Sequence, residues 1–146
     1  MKKIPAVVAV LAFALSCSQS PECWGPDRNE GIIVRSLEIG CFPALAKRHY
    51  VITSDSAYRR VFSGSAAECD LPAIDFSLHT LLGVEASGGC EIKVIREVVR
   101  VESERRYRYK VKVRECGICK KLAVARNWVT VPRIPEDWTV SFEIKK

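Results

Sequence analysis

The chain has 146 residues, 48% hydrophobic and 27% charged, with 23 Lys and Arg against 17 Asp and Glu, and seven cysteines. That length suits one domain rather than two, and the composition excludes both a disordered chain and one wholly embedded in a membrane. One Met, two His and no long low-complexity tract exclude haem, collagen and coiled-coil readings. Seven cysteines are unusual in a small cytosolic protein and ordinary in an exported one.

Met1-Lys2-Lys3 is a short positive start, and Ile4 to Leu15 carries no charge. A spanning helix needs about 20 apolar residues, so this run is too short to cross a bilayer and fits the apolar core of a signal peptide. Residues 1–16 are therefore expected to be a leader. Ala12-Phe13-Ala14 offers one cleavage site, releasing a soluble chain. Ala14-Leu15-Ser16-Cys17 offers another: it resembles a bacterial lipobox, in which the cysteine becomes the lipidated first residue. Cysteine parity favours the lipobox, because lipidation of Cys17 leaves an even set for disulfides. The implied location is the bacterial cell envelope, at the outer membrane, with the domain in the periplasm or at the surface. Attachment through the lipid makes the membrane one partner. Nucleic acid is not expected as a partner, since no recognised binding motif appears and the compartment is wrong.

Residues 17–30, rich in Ser, Pro, Gly and Asp, read as a tether. Fully extended, about fourteen residues reach ~45–50 Å. Cys23 and Trp24 do not suit a flexible linker, so part of the tether is expected to dock on the fold. A single domain then occupies 31–146. Ile32–Leu37 and Tyr50–Thr53 are short strand candidates. Asp55 to Phe62 is the best helix: Ser54 can cap it, Gly64 can stop it, and Tyr58 and Phe62 share one face. Leu81–Ala86, Ile92–Val101 and Leu122–Val131 are rich in Val and Ile and read as strands. A shift of apolar parity between Val94 and Val99 predicts a bulge near Ile95–Glu97. Tyr107, Tyr109, Val111 and Val113 alternate with Arg and Lys, and Val140, Phe142 and Ile144 alternate with polar residues, as in half-buried strands. The fold class is α+β: a mainly antiparallel sheet with one short helix, stapled by disulfides. The basic stripe Arg106–Arg114 reads as a solvated strand face balanced by nearby glutamates.

Six disulfide candidates remain beside Cys17: Cys23, Cys41, Cys69, Cys90, Cys116 and Cys119. A hairpin of Glu91–Glu102 and Arg105–Glu115, turning at about Ser103, would set Cys90 opposite Cys116. Six cysteines allow fifteen connectivities, so the remaining pairings stay open; Cys69 with Cys119 and Cys23 with Cys41 follow only if neighbours bond to neighbours. Cys116-Gly117-Ile118-Cys119 also admits thiol–disulfide or metal chemistry, with Lys120 and Lys121 able to lower a thiol pKa. The βαβ surroundings of a thioredoxin-like enzyme and a second cysteine pair for zinc are both missing. His49 and His79 belong to no catalytic motif. Ser87-Gly88-Gly89 lacks the Lys and spacing of a phosphate cradle and reads as a turn. Asp75 in Ile74-Asp75-Phe76-Ser77 suits a turn-bridging role, and no catalytic residue, cofactor or metal ligand is assigned. Trp128 and Trp138 suit either a core or a binding hot spot.

The order Val51-Ile52-Thr53-Ser54 before a short helix, Ile74-Asp75-Phe76-Ser77 before Leu81-Leu82-Gly83-Val84, then Gly88-Gly89-Cys90, the long hairpin and Asn127-Trp128-Val129-Thr130-Val131-Pro132, resembles the PrcB C-terminal-like domain family over residues 48–146. That family occurs in small exported lipoproteins and in an accessory subunit of a bacterial surface protease complex. The resemblance implies a partly β, non-catalytic module that binds or assists an envelope protein, a protease among the possible partners. Thiol chemistry at Cys116 and Cys119, or binding of glycan or lipid in an apolar cleft, are the alternative functions.

Overall fold

The computed structural model describes residues 23–44, 47–63, 70–117 and 119–146. The leader, Cys17, Gly64 and Cys69 lie outside the described residues. Eight strands and one α-helix follow in the order β1 (Arg28–Gly31), β2 (Arg35–Leu37), β3 (His49–Ile52), α1 (Asp55–Phe62), β4 (His79–Gly89), β5 (Ile92–Val101), β6 (Arg106–Glu115), β7 (Leu122–Pro132) and β8 (Thr139–Lys145).

The strands form two four-stranded sheets, β1-β5-β6-β8 and β2-β7-β4-β3. The second is antiparallel throughout. The first is mixed: β5 and β6 form an antiparallel hairpin, while β1 runs parallel to β5 and β8 parallel to β6. The expectation of a mainly antiparallel sheet therefore holds for the second sheet and only for the centre of the first. Hairpin logic cannot reach β1 and β8, because a parallel neighbour arrives through a long connection rather than a tight turn.

Alternation decides what each strand buries. Leu82, Val84 and Ala86 from β4 and Val129 and Val131 from β7 face Val94, Val98, Tyr107, Tyr109, Val111 and Val113 from the first sheet. This is the core between the sheets. Each buried Val or Leu among them contributes about 1.5–3 kcal/mol. The opposite face of the second sheet presents Leu81, Tyr50, Ile52 and Trp128 to Tyr58 and Phe62 of α1. Ser54 caps that helix by accepting the Ala57 N–H at 3.3 Å, and Tyr58 and Phe62 are its buried residues, both as expected.

The chain from β1 to β2 crosses from one sheet to the other. The Ile32 N–H donates to Val98 O at 3.0 Å, and the Val34 N–H to Thr130 O at 2.9 Å. The two sheets are thus laced along one side. Gly31 makes the crossing possible: its φ is +74°, and a Cβ there would run into the Val98 carbonyl oxygen. On the other side, His49 of β3 stacks on Phe142 of β8 at 4.7 Å.

Two local expectations are corrected. Pairing from Ile92–Glu115 to Val101–Arg106 is unbroken, so there is no bulge near Ile95–Glu97. The parity shift arises because Arg96 takes an inward position between Val94 and Val98. Ser87-Gly88-Gly89 is not a turn but the end of β4, paired with Leu122, Ala123 and Val124. The turn follows at Cys90, whose φ is +64°. Arg28–Gly31, falling in the stretch read as tether, is a strand, and Asp27 just before it is held by Arg96.

Candidate functional site

One end of the sandwich gathers Cys23, Cys90, Cys116 and Cys119. The β4–β5 turn (90–91) and the β6–β7 loop (116–121) meet there, joined by the Cys116 N–H to Glu91 O at 2.7 Å and the Cys90 N–H to Lys121 O at 2.6 Å. Cys23 bonds to Cys116 and Cys90 to Cys119, with Cα separations of 5.5 and 5.0 Å. Cys41 is disulfide-bonded as well. The expected Cys90–Cys116, Cys69–Cys119 and Cys23–Cys41 pairings are therefore corrected. The cause is a single residue of register: the 3-10 turn Glu102–Glu104, followed by Arg105 at φ +45°, joins Val101 to Arg106, so Glu91 rather than Cys90 meets the start of the loop at Cys116. The loop then folds back and brings Cys119 to Cys90. Cys116 and Cys119 are not bonded to each other, so the CxxC is split between two bridges. Two disulfides point to an oxidising, non-cytoplasmic compartment.

The bridge at Cys23 carries the N-terminal segment onto the fold, as expected from Cys23 and Trp24. The Trp24 ring nevertheless stays 74% exposed. It borders a shallow groove of about 320 Å³ lined also by Pro26, Arg28, Lys93, Ile95 and Arg114. Behind it, Asp27 takes an ion pair from Arg96 at 2.7 Å, and Arg96 donates through Nε to Asn127 Oδ1 at 2.9 Å. Buried Asn127 donates to Val84 O, and Tyr109 donates its hydroxyl to Asn127 O at 3.2 Å. Burial pushes the Tyr109 phenol well above the ordinary tyrosine range, with Arg96 pulling weakly the other way. These groups satisfy one another's hydrogen bonds, with only the Asp27 carboxylate partly open to water.

A second feature lies on the outer face of the second sheet. Leu122, Val124, Arg126 and Trp128 alternate onto that face of β7, opposite Gly89, Ser87, Glu85 and Gly83 of β4. The helix side of this face contains buried Trp128. Toward the disulfide end, Val124 and Leu122 are left 48% and 69% exposed. At the boundary sits a cleft of about 330 Å³ whose lining includes Phe42, Lys47, Arg48, Glu85, Arg126 and Trp128. Gly83 leaves room for Trp128, one of the lining residues, since a Cβ there would overlap its ring carbons. Phe42 is 63% exposed beneath the Arg126 guanidinium, which lies 4.0 Å from its ring centroid. Arg126 also approaches Glu85 at 3.6 Å. Lys47 and Arg48 make no ion pair among the described residues, so the rim carries three cations against one carboxylate. The arrangement has the parts of a recognition site: an accessible aromatic, a planar cation held over it, and a rim that attracts anionic groups.

The remaining sequence candidates do not join either feature. His79 starts β4 opposite Pro132, and His49 is stacked on Phe142. Asp75 bridges its turn as expected: its carboxylate accepts the Ser77 N–H at 2.9 Å and the Ser77 hydroxyl, which hold the carboxyl below the usual range. Trp128 is core, and Trp138 packs on Tyr107 beneath Arg100. Among the described residues no group of three or more His, Cys, Asp or Glu is placed to hold a metal ion, and no helix is long and apolar enough to cross a membrane. Phe42, Arg126, Leu122 and Val124 were not singled out in the sequence. The available signal was the continuous apolar run Leu122-Ala123-Val124-Ala125 before Arg126, with its two larger side chains on one face of a strand that α1 is too short to cover. No family model, curated protein or solved structure matches the chain.

Proposed function

We propose that the chain is a lipid-anchored bacterial envelope protein whose folded part is a non-catalytic module for binding another envelope protein. The observation that carries this reading is the cleft where Arg126 lies over exposed Phe42. Aromatic and arginine side chains in a partly enclosed site are the residues that most often anchor protein partners. The surplus of Lys47, Arg48 and Arg126 over Glu85 selects an acidic segment of that partner. The lipobox-like Leu15-Ser16-Cys17, the even cysteine set after it and the disulfide chemistry support export and anchoring. The resemblance to PrcB C-terminal-like domains supports an accessory or inhibitor-like role beside a protease.

The rival reading, dithiol exchange at Cys116 and Cys119, requires those two sulfurs to bond to each other in the oxidised state. Each is instead bonded to a different partner. The test is a photo-crosslinking phenylalanine analogue at position 42 in growing cells, compared with the same analogue at position 51, an exposed residue of β3. One envelope protein should be captured from position 42 and not from position 51, and Arg126→Glu should abolish the adduct. No adduct from position 42, or identical adducts from both positions, overturns the cleft as the binding site.

A further inference from the structure

The disulfide end of the sandwich differs in chemistry from the rest of the surface. Trp24 and Leu122 are the two most exposed large apolar side chains among the described residues, and Val124 adjoins Leu122 on β7. Lys120 and Lys121 lie between Cys119 and Leu122, both exposed and without an ion pair among the described residues. The two carboxylates at this end are engaged: Glu91 with Lys93 at 3.4 Å, and Glu115 with the Gly89 N–H at 3.0 Å. The end therefore presents a tryptophan beside the outer face of the first sheet, aliphatic side chains on the outer face of the second, and unpaired lysines in the loop that leads into β7. This is the composition of a surface that sits in the headgroup layer of a bilayer, where an indole ring and short apolar groups enter the interface and ammonium groups meet phosphates.

The covalent path leads to the same place. Cys23 is fixed to Cys116, and only five residues, 18–22, separate it from Cys17. Their greatest reach is about 20 Å, less than half that of the tether expected from sequence. We propose that the disulfide end, through Trp24, Leu122, Lys120 and Lys121, docks on an anionic phospholipid surface. The sandwich then stands on that surface with its cleft on the flank and the β5–β6 tip pointing away. This rests on the reading of Cys17 as the lipidated residue for its permanence, and on the exposed side chains for its orientation.

The experiment uses the full chain extracted from membranes in mild detergent. Its intact mass records whether Cys17 carries acyl chains. The same preparation is then reconstituted with, or added to, vesicles of phosphatidylglycerol and brominated phosphatidylcholine, and tryptophan quenching is read. Quenching should occur with the anionic vesicles, vanish in Trp24→Phe, and weaken on replacing phosphatidylglycerol with neutral lipid. Titrated with vesicles, Lys120→Gln with Lys121→Gln should need on the order of 20-fold more anionic lipid, at about fivefold per cation. Unchanged mass for both disulfides in each variant shows that the staples are intact. Absence of quenching in an acylated protein overturns the docking surface and leaves the anchor standing. Quenching without acylation retains the surface and removes the anchor. Quenching that persists in Trp24→Phe, or that ignores lipid charge, overturns the surface as drawn.

Discussion

Arg96 occupies a position where the alternation of β5 favours an apolar residue, and the surrounding groups explain why it is tolerated. Its side chain is 12% exposed and is met by Asp27, while Asn127 accepts from its Nε. Removing one partner of a buried ion pair costs more than the pair itself contributes, because the remaining charge stays desolvated. Asp27 is partly open to water, which softens the loss. Asp27→Ala should therefore lower unfolding free energy by about 1–2 kcal/mol, whereas Lys145→Ala, which breaks the exposed Lys145–Glu143 contact at 3.2 Å, should change it by less than about 0.5 kcal/mol. Urea unfolding of both variants checks this; equal losses would show that Arg96 is already solvated. Tyr109 gives the pH counterpart. Its folded pKa is raised above the unfolded value of 10.0 by burial. The neutral phenol therefore contributes stability that is complete below about pH 10 and is lost as pH rises above it. Tyr109→Phe should flatten the alkaline fall in Tm between pH 9 and 11.5, leaving a weaker slope from Tyr58, also raised by burial. An unchanged alkaline limb would refute the assignment.

Among the elements, β1 is a short strand with no buried residue. It has four residues, all exposed, and its hold on β5 passes straight into the crossing at Gly31 and Ile32. Gly31→Ala puts a methyl group against the Val98 carbonyl and asks an L-residue to hold φ near +74°. The expected cost is about 1–3 kcal/mol, with faster amide exchange at Ile32 and Val34 while Val94 and Val111 stay protected. Uniform loss of protection would mean that the lacing segment is no separate unit. The same element shows where sequence stops being informative. α1 and β5 match their expected bounds, and β6 and β8 do so nearly, because caps and apolar periodicity are local signals. Arg28–Gly31 has no periodicity, and its partner lies more than sixty residues away in a parallel pairing, so nothing local marks it. Arg96 broke the pattern of β5 and imitated a bulge. The hairpin tip was placed correctly, yet one residue of register at Glu102–Arg105 was enough to exchange the cysteine partners. The cleft was illegible for a related reason: it joins Phe42 to Arg126, two segments whose neighbourhood is set by how β7 sits in the second sheet.

For the whole molecule, the placement of the bridges matters more than their number. Cys23–Cys116 spans 93 residues and holds the N-terminal segment to the far end of the hairpin; Cys90–Cys119 spans 29 and ties two loops at that same end. In the chain-entropy account, each taken alone removes about 4–5 and about 3–4 kcal/mol of freedom from the unfolded chain. A domain of this size has a total stability of about 5–15 kcal/mol, so the bridges account for much of the margin. The core between the sheets, by contrast, is built from residues from Leu82 to Ile134, and no cysteine of either bridge is one of its members. Two consequences separate. Cys23→Ser with Cys116→Ser should keep the native near-ultraviolet spectrum and melt about 12–20 °C lower, at roughly 3–4 °C per kcal/mol. The Cys90→Ser with Cys119→Ser pair should fall less, in keeping with its shorter loop. Production in a reducing cytosol, where every bridge is absent, should leave the chain largely unfolded at 37 °C, while the same sequence exported to an oxidising compartment folds. Equal melting temperatures for the reduced and oxidised protein would overturn this ordering, and would mean that packing across the two sheets alone sets the stability of the fold.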